Sequence, residues 1–236
     1  MKEIPKESKG DIIHKLVKGA ISGAPLGGGL AAEFFELVIK PPYTKRFKRW
    51  MESVAEAFKK LEEEVEGFKI ENLANNEMFT TTILHATQVA IRNHQKEKLE
   101  ALRAAVLNST SPNAPEEDLQ LMFLNWVDEF TTWHLRILKF FDSPETWVNK
   151  SNIKIPDWAE ASPLHVFFHL YPQLKDQTQI FNLMLQDLDL KELLDEGKIR
   201  STMKKMAYLR VSHTTNLGKQ FIQFITSPIE DEEESE

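Results

Sequence analysis

The chain has 236 residues, of which 42% are hydrophobic and 28% are charged, a balance that excludes wholesale disorder and a membrane-embedded chain. It contains no cysteine, which excludes disulfides and thiolate metal sites. The net charge of −7 lies mostly at the C-terminus, because residues 229–236 hold six acidic and no basic side chains. We therefore predict a disordered acidic tail over residues 229–236.

The sequence before this tail is nearly neutral, except at its start. Residues 1–50 hold ten basic and five acidic side chains, which favours contact with anionic lipid or phosphate. The first ten residues are polar and charged, and no run of about 18 uncharged apolar residues occurs. We therefore predict a cytoplasmic protein with a membrane surface as a further contact.

Residues 12–39 predict a helical hairpin with a glycine-rich turn. Apolar residues recur at helical spacing from Ile12 to Ile21, the sequence 23–29 (GAPLGGG) breaks the helix, and a second apolar helix covers 30–39. Small residues four apart allow helices to approach closely, so the hairpin either packs inside a helical bundle or is released to bind a membrane or a partner. In the second interpretation the binding residues are Lys15, Lys18, Gly19, Gly23, Gly27, Phe34 and Phe35.

Amphipathic helices follow as far as about residue 150. One is predicted from Thr44 to Glu66 with Gly67 as its C-cap, and a helical period then runs from Asn75 or Asn76 to Asn108. Further N-caps are predicted at Asn113, which with Glu116 resembles a capping box, and at Thr131 or Thr132 and Ser143, the last followed by proline. Residues 1–150 are thus predicted to form one helical array.

A polar linker near residues 149–156 predicts a domain boundary. Beyond it we predict helices starting at Ser162 and Gln177, a hairpin that includes Ile199 and the alternating residues 208–212, and a last helix capped by Thr214 or Thr215. Three helices, a hairpin and a helix are typical of a winged-helix-like module. The predicted fold is mainly α, with an N-terminal helical array (1–150) followed by a small winged-helix-like C-terminal module (151–228).

The motifs do not indicate catalysis. The glycine-rich turn is followed by Leu30, Ala31 and Ala32, where a phosphate-binding loop needs lysine and a hydroxyl. His165 and His169 are spaced like metal ligands, but no third ligand is evident. No G-x-S-x-G motif occurs, and the glutamates at 62–66 fan around a helix. We therefore expect no enzymatic activity, cofactor or metal.

A winged-helix module raises the possibility of DNA binding. The helix beginning near Gln177 offers uncharged or acidic groups to a groove, and the local basic cluster consists of Lys198, Arg200, Lys204 and Lys205. Residues 151–228 hold nine basic and eight acidic side chains, so they neutralise few phosphates. The composition disfavours nucleic acid and favours a protein-docking module or self-association.

Three stretches carry a resemblance to a known group of proteins. They are residues 99–109 (LEALRAAVLNS), 123–138 (FLNWVDEFTTWHLRIL) and 213–225 (HTTNLGKQFIQFI). The chain resembles a family of uncharacterised bacterial helical proteins and is more distantly similar to abortive-infection α-type proteins. The resemblance implies a bacterial source and a role in phage defence, and it transfers no site residues. The membrane contact would then be peripheral, at the inner membrane.

Two functions stay open at this point. The first is a non-enzymatic effector or adaptor that acts through protein or membrane contacts of the N-terminal hairpin. The alternative is a winged-helix DNA-binding transcriptional regulator with a helical oligomerisation domain. Salt-dependent DNA affinity favours the second, and liposome binding that depends on residues 12–39 favours the first.

Overall fold

A computed structural model describes residues 40–156, 158–204 and 207–229. Over these residues the protein is mainly α-helical, which confirms the predicted fold class at this level. The predicted hairpin (12–39) lies outside the described residues, as do residues 230–236 of the predicted tail. Ile229, predicted to be the first residue of that tail, is instead buried in the hydrophobic core.

The elements follow one another with short connections. The first half contains α1 (Lys40–Glu64), a 3-10 helix (Ile70–Asn75), α2 (Glu77–Arg92), α3 (Lys96–Asn108), α4 (Glu117–Glu129), α5 (Thr132–Asp142) and α6 (Pro144–Ser151). The second half contains β1 (Glu160–Ala161), α7 (Pro163–Leu170), α8 (Pro172–Lys175), α9 (Thr178–Leu190), α10 (Glu196–Arg200), β2 (Met203–Lys204), α11 (Ala207–Arg210) and α12 (Asn216–Phe224).

Helix α1 begins four residues earlier than predicted. Pro41 and Pro42 lie in the first turn of α1, where a missing N–H costs no hydrogen bond. Gly67 follows the end of α1 with a φ of 82°, a left-handed conformation that glycine adopts without strain. Within α1, the indole N–H of Trp50 donates to Thr87 Oγ1 over 2.9 Å and joins α1 to α2 inside the core.

Most predicted N-caps are correct because their side chains accept a hydrogen bond from the first turn. Asn76, Thr131, Ser162 and Thr215 all do so. The predicted capping box at Asn113 is wrong, since α4 begins at Glu117, too far along the chain for Asn113 to reach it. The amide of Gln120 holds that helix start instead, donating to the carbonyl of Pro115 over 2.7 Å.

Side chains from neighbouring helices donate hydrogen bonds to the free carbonyl groups at two helix C-termini. The buried ammonium of Lys98 donates to the carbonyl of Asp128 at the end of α4 over 2.8 Å, and burial lowers the pKa of Lys98. The amide nitrogen of Asn108 lies 2.9–3.1 Å from three carbonyl oxygens at the end of α12, those of Gln223, Phe224 and Thr226. The second arrangement ties two helices that are more than a hundred residues apart in sequence.

An aromatic cluster joins the two halves of the chain. The ring of Phe221 on α12 lies 5.2 Å from Phe123, 5.6 Å from Trp126 and 6.0 Å from Phe130, all of which α4 or its C-cap supplies. Phe224 extends the cluster, 5.6 Å from Phe123. Helix α5 also packs against α9 and α12. Residues on both sides of the predicted linker therefore contribute to one hydrophobic core.

The predicted hairpin of residues 208–212 is wrong. Residues 207–210 form the short helix α11, in which the neighbours Tyr208 and Leu209 are both buried, whereas a strand would place them on opposite faces. Ile199 lies in α10. The strand that follows, β2, pairs antiparallel with β1 from before α7, with Lys204 opposite Glu160.

Gly218 marks the closest approach between α12 and the loop after α9. A Cβ at this position would lie 2.1 Å from the carbonyl oxygen of Leu193, which itself accepts a hydrogen bond from Thr215 N. We expect Gly218→Ala to lower the free energy of unfolding by about 1–3 kcal/mol, as overpacking does, measured by urea denaturation. Gly197→Ala, whose Cβ would meet only Asp195 Oδ1 at 3.4 Å, is the control and should be neutral or stabilising. Equal losses in both variants would contradict this account.

The segment after α6 separates the two predicted domains, whose division stays a prediction. Residues 152–154 are exposed, and residues 153–156 have no regular structure, so a protease can reach them. Because the helices on either side share one core, we expect the fragments produced by limited proteolysis near residues 149–160 to elute together in size-exclusion chromatography and to separate only in denaturant. Fragments that separate under native conditions would indicate two independent domains.

Candidate functional site

Helix α9 has apolar residues on its outer as well as its inner face. Its inner stripe, Phe181, Met184, Leu185 and Leu188, is buried. On the outside, Ile180 is 53% exposed, Leu183 61% and Leu190 72%. These three residues are spaced three and seven apart, so they lie along one side of the helix. We call them the α9 stripe.

The polar neighbours of the α9 stripe are mostly amides. Gln179, Asn182 and Gln186 are exposed beside it, and Asp187 is the one charged residue that α9 itself supplies near its middle. Arg200 of α10 donates to Asn182 Oδ1 over 3.1 Å. No lysine or arginine occurs between Thr178 and Leu190. The surface thus combines exposed aliphatic side chains with uncharged hydrogen-bonding groups, the composition of a protein interface core.

An acidic cleft of about 450 Å³ begins where α9 ends. Its carboxylates belong to Asp189, Glu192 and Asp195, and its other walls are formed by Leu194, Thr215, Asn216 and Leu217. Asp195 Oδ2 is paired with Lys198 Nζ at 2.8 Å, and this contact lowers the pKa of Asp195. Asp189 Oδ1 accepts a hydrogen bond from Glu196 N over 3.2 Å. Glu192 is exposed and has no ion-pair partner among the described residues.

The segment 212–215 forms the base of this region and is held on both sides. His213 N donates to the carbonyl of Phe141 over 2.8 Å, and His213 O accepts from Asp195 N over 3.1 Å. Thr215 Oγ1 donates to the carbonyl of Glu192, where the chain turns with a φ of 56°. These bonds fix the acidic loop after α9 against the start of α12.

Hydroxyl groups of the same segment converge on Asp142. Its Oδ1 accepts from Thr214 Oγ1 over 2.7 Å and from Ser212 Oγ over 3.2 Å, and its Oδ2 accepts from Ser143 Oγ over 3.1 Å. The hydroxyls donate to the carboxylate, and no hydrogen bond among the described residues joins them to an imidazole. The cluster holds segment 212–215 on the end of α5 and does not have the nucleophile and base arrangement of a hydrolase.

His213 is the most isolated polar side chain of the region. It is only 1% exposed, and neither ring nitrogen makes a hydrogen bond of ordinary geometry. Burial lowers the pKa of His213, an effect that the nearby backbone of Tyr208 opposes. The neutral imidazole therefore persists to a lower pH in the folded protein than in the unfolded chain.

Two other histidines act as helix-capping groups. His134 Nδ1 accepts from the backbone N–H of Thr131 over 3.1 Å, and His165 Nδ1 does the same for Ser162. His134 Nε2 lies 3.4 Å from Asp187 Oδ2, and burial, the largest effect, lowers the pKa of His134. His169 Nε2 lies 3.2 Å from the carbonyl of Lys154. In the described part of the chain, histidines and carboxylates form no cluster that could hold a metal ion.

The cations predicted for DNA binding are paired with carboxylates. Lys198 pairs with Asp195, Arg200 with Glu196 at 2.7 Å and Lys204 with Glu160 at 3.3 Å. The predicted membrane- or partner-binding residues lie outside the described part of the chain, as does Lys205 of the basic cluster: Lys15, Lys18, Gly19, Gly23, Gly27, Phe34 and Phe35. None of the helices in the described ranges has the length and apolar character needed to cross a bilayer.

Comparison with protein-family models, with curated proteins and with solved structures gives no match for this chain. The resemblance to bacterial helical proteins and to abortive-infection proteins therefore stays a prediction. It carries no argument about the site.

Sequence reasoning identified the polar residues of α9 but missed its stripe. The signal was an excess of apolar residues, since Ile180, Leu183 and Leu190 add to the four that one buried face requires. Sequence alone does not tell which apolar positions of such a helix face the core. The acidic cleft was missed because its walls come from α9, the following loop and α12.

Three buried or half-buried histidines make stability depend on pH. The pKa values of His85, His134 and His213 are lowered from 6.5, with burial as the largest cause, so below pH 6.5 the unfolded chain takes up protons that the folded protein resists. We expect the free energy of unfolding to be fully retained above about pH 7.5 and to fall as the pH drops through 6.5 toward 5.5, measured by urea denaturation.

The variant His213→Asn isolates the contribution of one histidine. Because it removes a titrating group, its free energy of unfolding should fall less steeply with pH, whatever its stability at pH 8. The control His94→Gln changes an exposed residue between α2 and α3 and should keep the steep fall. An unchanged slope in His213→Asn would show that His213 does not contribute to the pH dependence.

Proposed function

We propose that this protein is a non-enzymatic effector or adaptor that acts through contacts with another protein. The observation that carries the proposal is the α9 stripe, in which Ile180, Leu183 and Leu190 are each more than half exposed. Large apolar side chains aligned on one face lower the free energy of association when a partner covers them, by about 25 cal/mol per Å² of apolar area. Exposed aliphatic residues scattered singly need no such explanation.

The surroundings of the stripe support this function over catalysis. The amides beside it supply hydrogen-bonding groups that are cheaper to bury than charges. The polar groups around Asp142 and in the segment of His213 hold parts of the chain together, and no base among the described residues hydrogen-bonds to a nucleophile there.

The N-terminal hairpin is a second part of the same proposal. Residues 12–39, with Lys15 and Lys18 beside an apolar stripe, suit a membrane or partner contact, and the predicted inner-membrane position rests on them. The bacterial source and the role in phage defence rest on the resemblance alone. The membrane contact is tested separately from the α9 stripe, by liposome binding of the full chain and of a chain that lacks residues 1–39.

The alternative, a winged-helix DNA-binding regulator, has less support. Its groove helix would be α9, which has no lysine or arginine, and Lys198, Arg200 and Lys204 are each paired with a carboxylate. Neutralised cations release few counterions from DNA. The wing would have to come from β1 and β2, which are two residues each.

A crosslinking experiment tests the protein-binding function. A photo-reactive phenylalanine analogue placed at position 183 should form a discrete protein adduct when the full chain is irradiated in its native cell extract. The same analogue at position 84, where Leu84 is 49% exposed on α2, is the matched control and should form none. Adding Leu190→Glu to the first variant should abolish the adduct without changing the melting temperature, because Leu190 is exposed.

Two outcomes would contradict the protein-binding function. One is the absence of any adduct from position 183 under these conditions. The other is an equal yield from positions 183 and 84, which indicates nonspecific contact.

A further inference from the structure

The acidic cleft begins at the C-terminal end of α9, where the α9 stripe ends. Asp189 and Glu192, which line the cleft, flank Leu190, the last residue of the stripe. From Ile180 to Leu190 the stripe spans about 15 Å, roughly three helical turns at 1.5 Å per residue. An apolar row of this length matches the face that an amphipathic helix presents at positions i, i+3 or i+4, and i+7.

The charge of this surface is acidic at the C-terminal end of α9. Residues 175–200 contain six acidic side chains, at 176, 187, 189, 192, 195 and 196, against four basic ones, at 175, 191, 198 and 200. Arg200 pairs with Glu196 at 2.7 Å. Lys191 is already paired with Glu129 at 3.1 Å. In the cleft, Lys198 neutralises Asp195, and the N-terminus of α12 contributes about half a positive charge, so the carboxylates of Asp189 and Glu192 still leave the cleft negative.

The negative charge of the cleft indicates which kind of molecule binds this surface. A nucleic acid or an anionic membrane would be repelled by the carboxylates. A second copy of α9 laid on the stripe would bring two acidic surfaces together, which repulsion between like charges disfavours. A cationic amphipathic helix would bury its apolar face on the α9 stripe and pair its cations with the carboxylates of the cleft.

We propose that the α9 stripe and the acidic cleft together bind a cationic amphipathic helix of a partner protein. The apolar face of that helix covers Ile180, Leu183 and Leu190, and lysine or arginine side chains at one of its ends reach Asp189 and Glu192. This inference rests on the proposed protein-binding function and adds the chemistry of the partner.

Synthetic helical peptides provide the probe. The first has 18 residues, with leucines on one face and lysines and arginines clustered at one end. The second has the same leucines with glutamates in place of the cations, and the third has the composition of the first in a scrambled order. Binding of each labelled peptide to the full chain is followed by fluorescence anisotropy at low and at physiological salt.

We expect the full chain to bind the first peptide and neither of the others. Leu183→Glu/Leu190→Glu should weaken this binding at least tenfold, and Asp189→Asn/Glu192→Gln should weaken it on the order of 3- to 10-fold, more at low salt. Leu84→Glu is the control for an added charge at an exposed leucine and should bind like the unaltered chain. All altered side chains are exposed or partly exposed, and thermal melting checks that each variant folds.

Three results would overturn the inference. The first is no binding of the cationic peptide, and the second is equal binding of its glutamate counterpart. The third is binding that persists in both double variants, as attraction to the acidic residues 230–236 would produce. If position 183 crosslinks to a protein while the cationic peptide fails to bind, the inferred chemistry of the partner is wrong and the protein-binding function stands. If both experiments fail, both proposals are wrong.

Discussion

The packing of α12 against α4 is the interaction on which the rest of the fold depends. Phe221 and Phe224 insert among Phe123, Trp126 and Phe130, and the amide of Asn108 holds the carbonyl end of the same helix. Aromatic side chains bury more apolar area than any others, so this cluster contributes strongly to the hydrophobic stabilisation. It also fixes the end of the described chain against its middle, and the loop 192–195 is held against α12 by Thr215 and by the absence of a side chain at Gly218.

The surface follows from this core. Once α5, α8 and α10 have fixed the inner face of α9, the side of the helix that carries Ile180, Leu183 and Leu190 must face away from them. The same packing brings the acidic loop beside the start of α12, which creates the cleft. An exposed apolar stripe costs solubility unless a partner covers it, and the amides around it limit that cost without adding charge.

The histidines illustrate how one residue type serves different purposes in this protein. His134 and His165 close helix N-termini as neutral acceptors, a role that a threonine or serine three residues earlier makes possible. His213 is held by its backbone while its ring stays buried without an ordinary hydrogen bond. For His134 and His213 burial lowers the pKa, so that folding and protonation oppose each other.

The sequence by itself determined the helical class and the start of several helices. These features depend on local physics: apolar spacing and side-chain caps one turn away. The alternating residues 208–212 led to the prediction of a hairpin, which was wrong. The same pattern is compatible with a short helix when Tyr208 and Leu209 are both buried in the core. Only the tertiary structure decided that β2 pairs with β1, that residues before and after the linker share a core, and which apolar residues of α9 stay outside. Those outcomes depend on contacts between residues far apart in sequence, and no local pattern encodes which surface a neighbouring helix will cover.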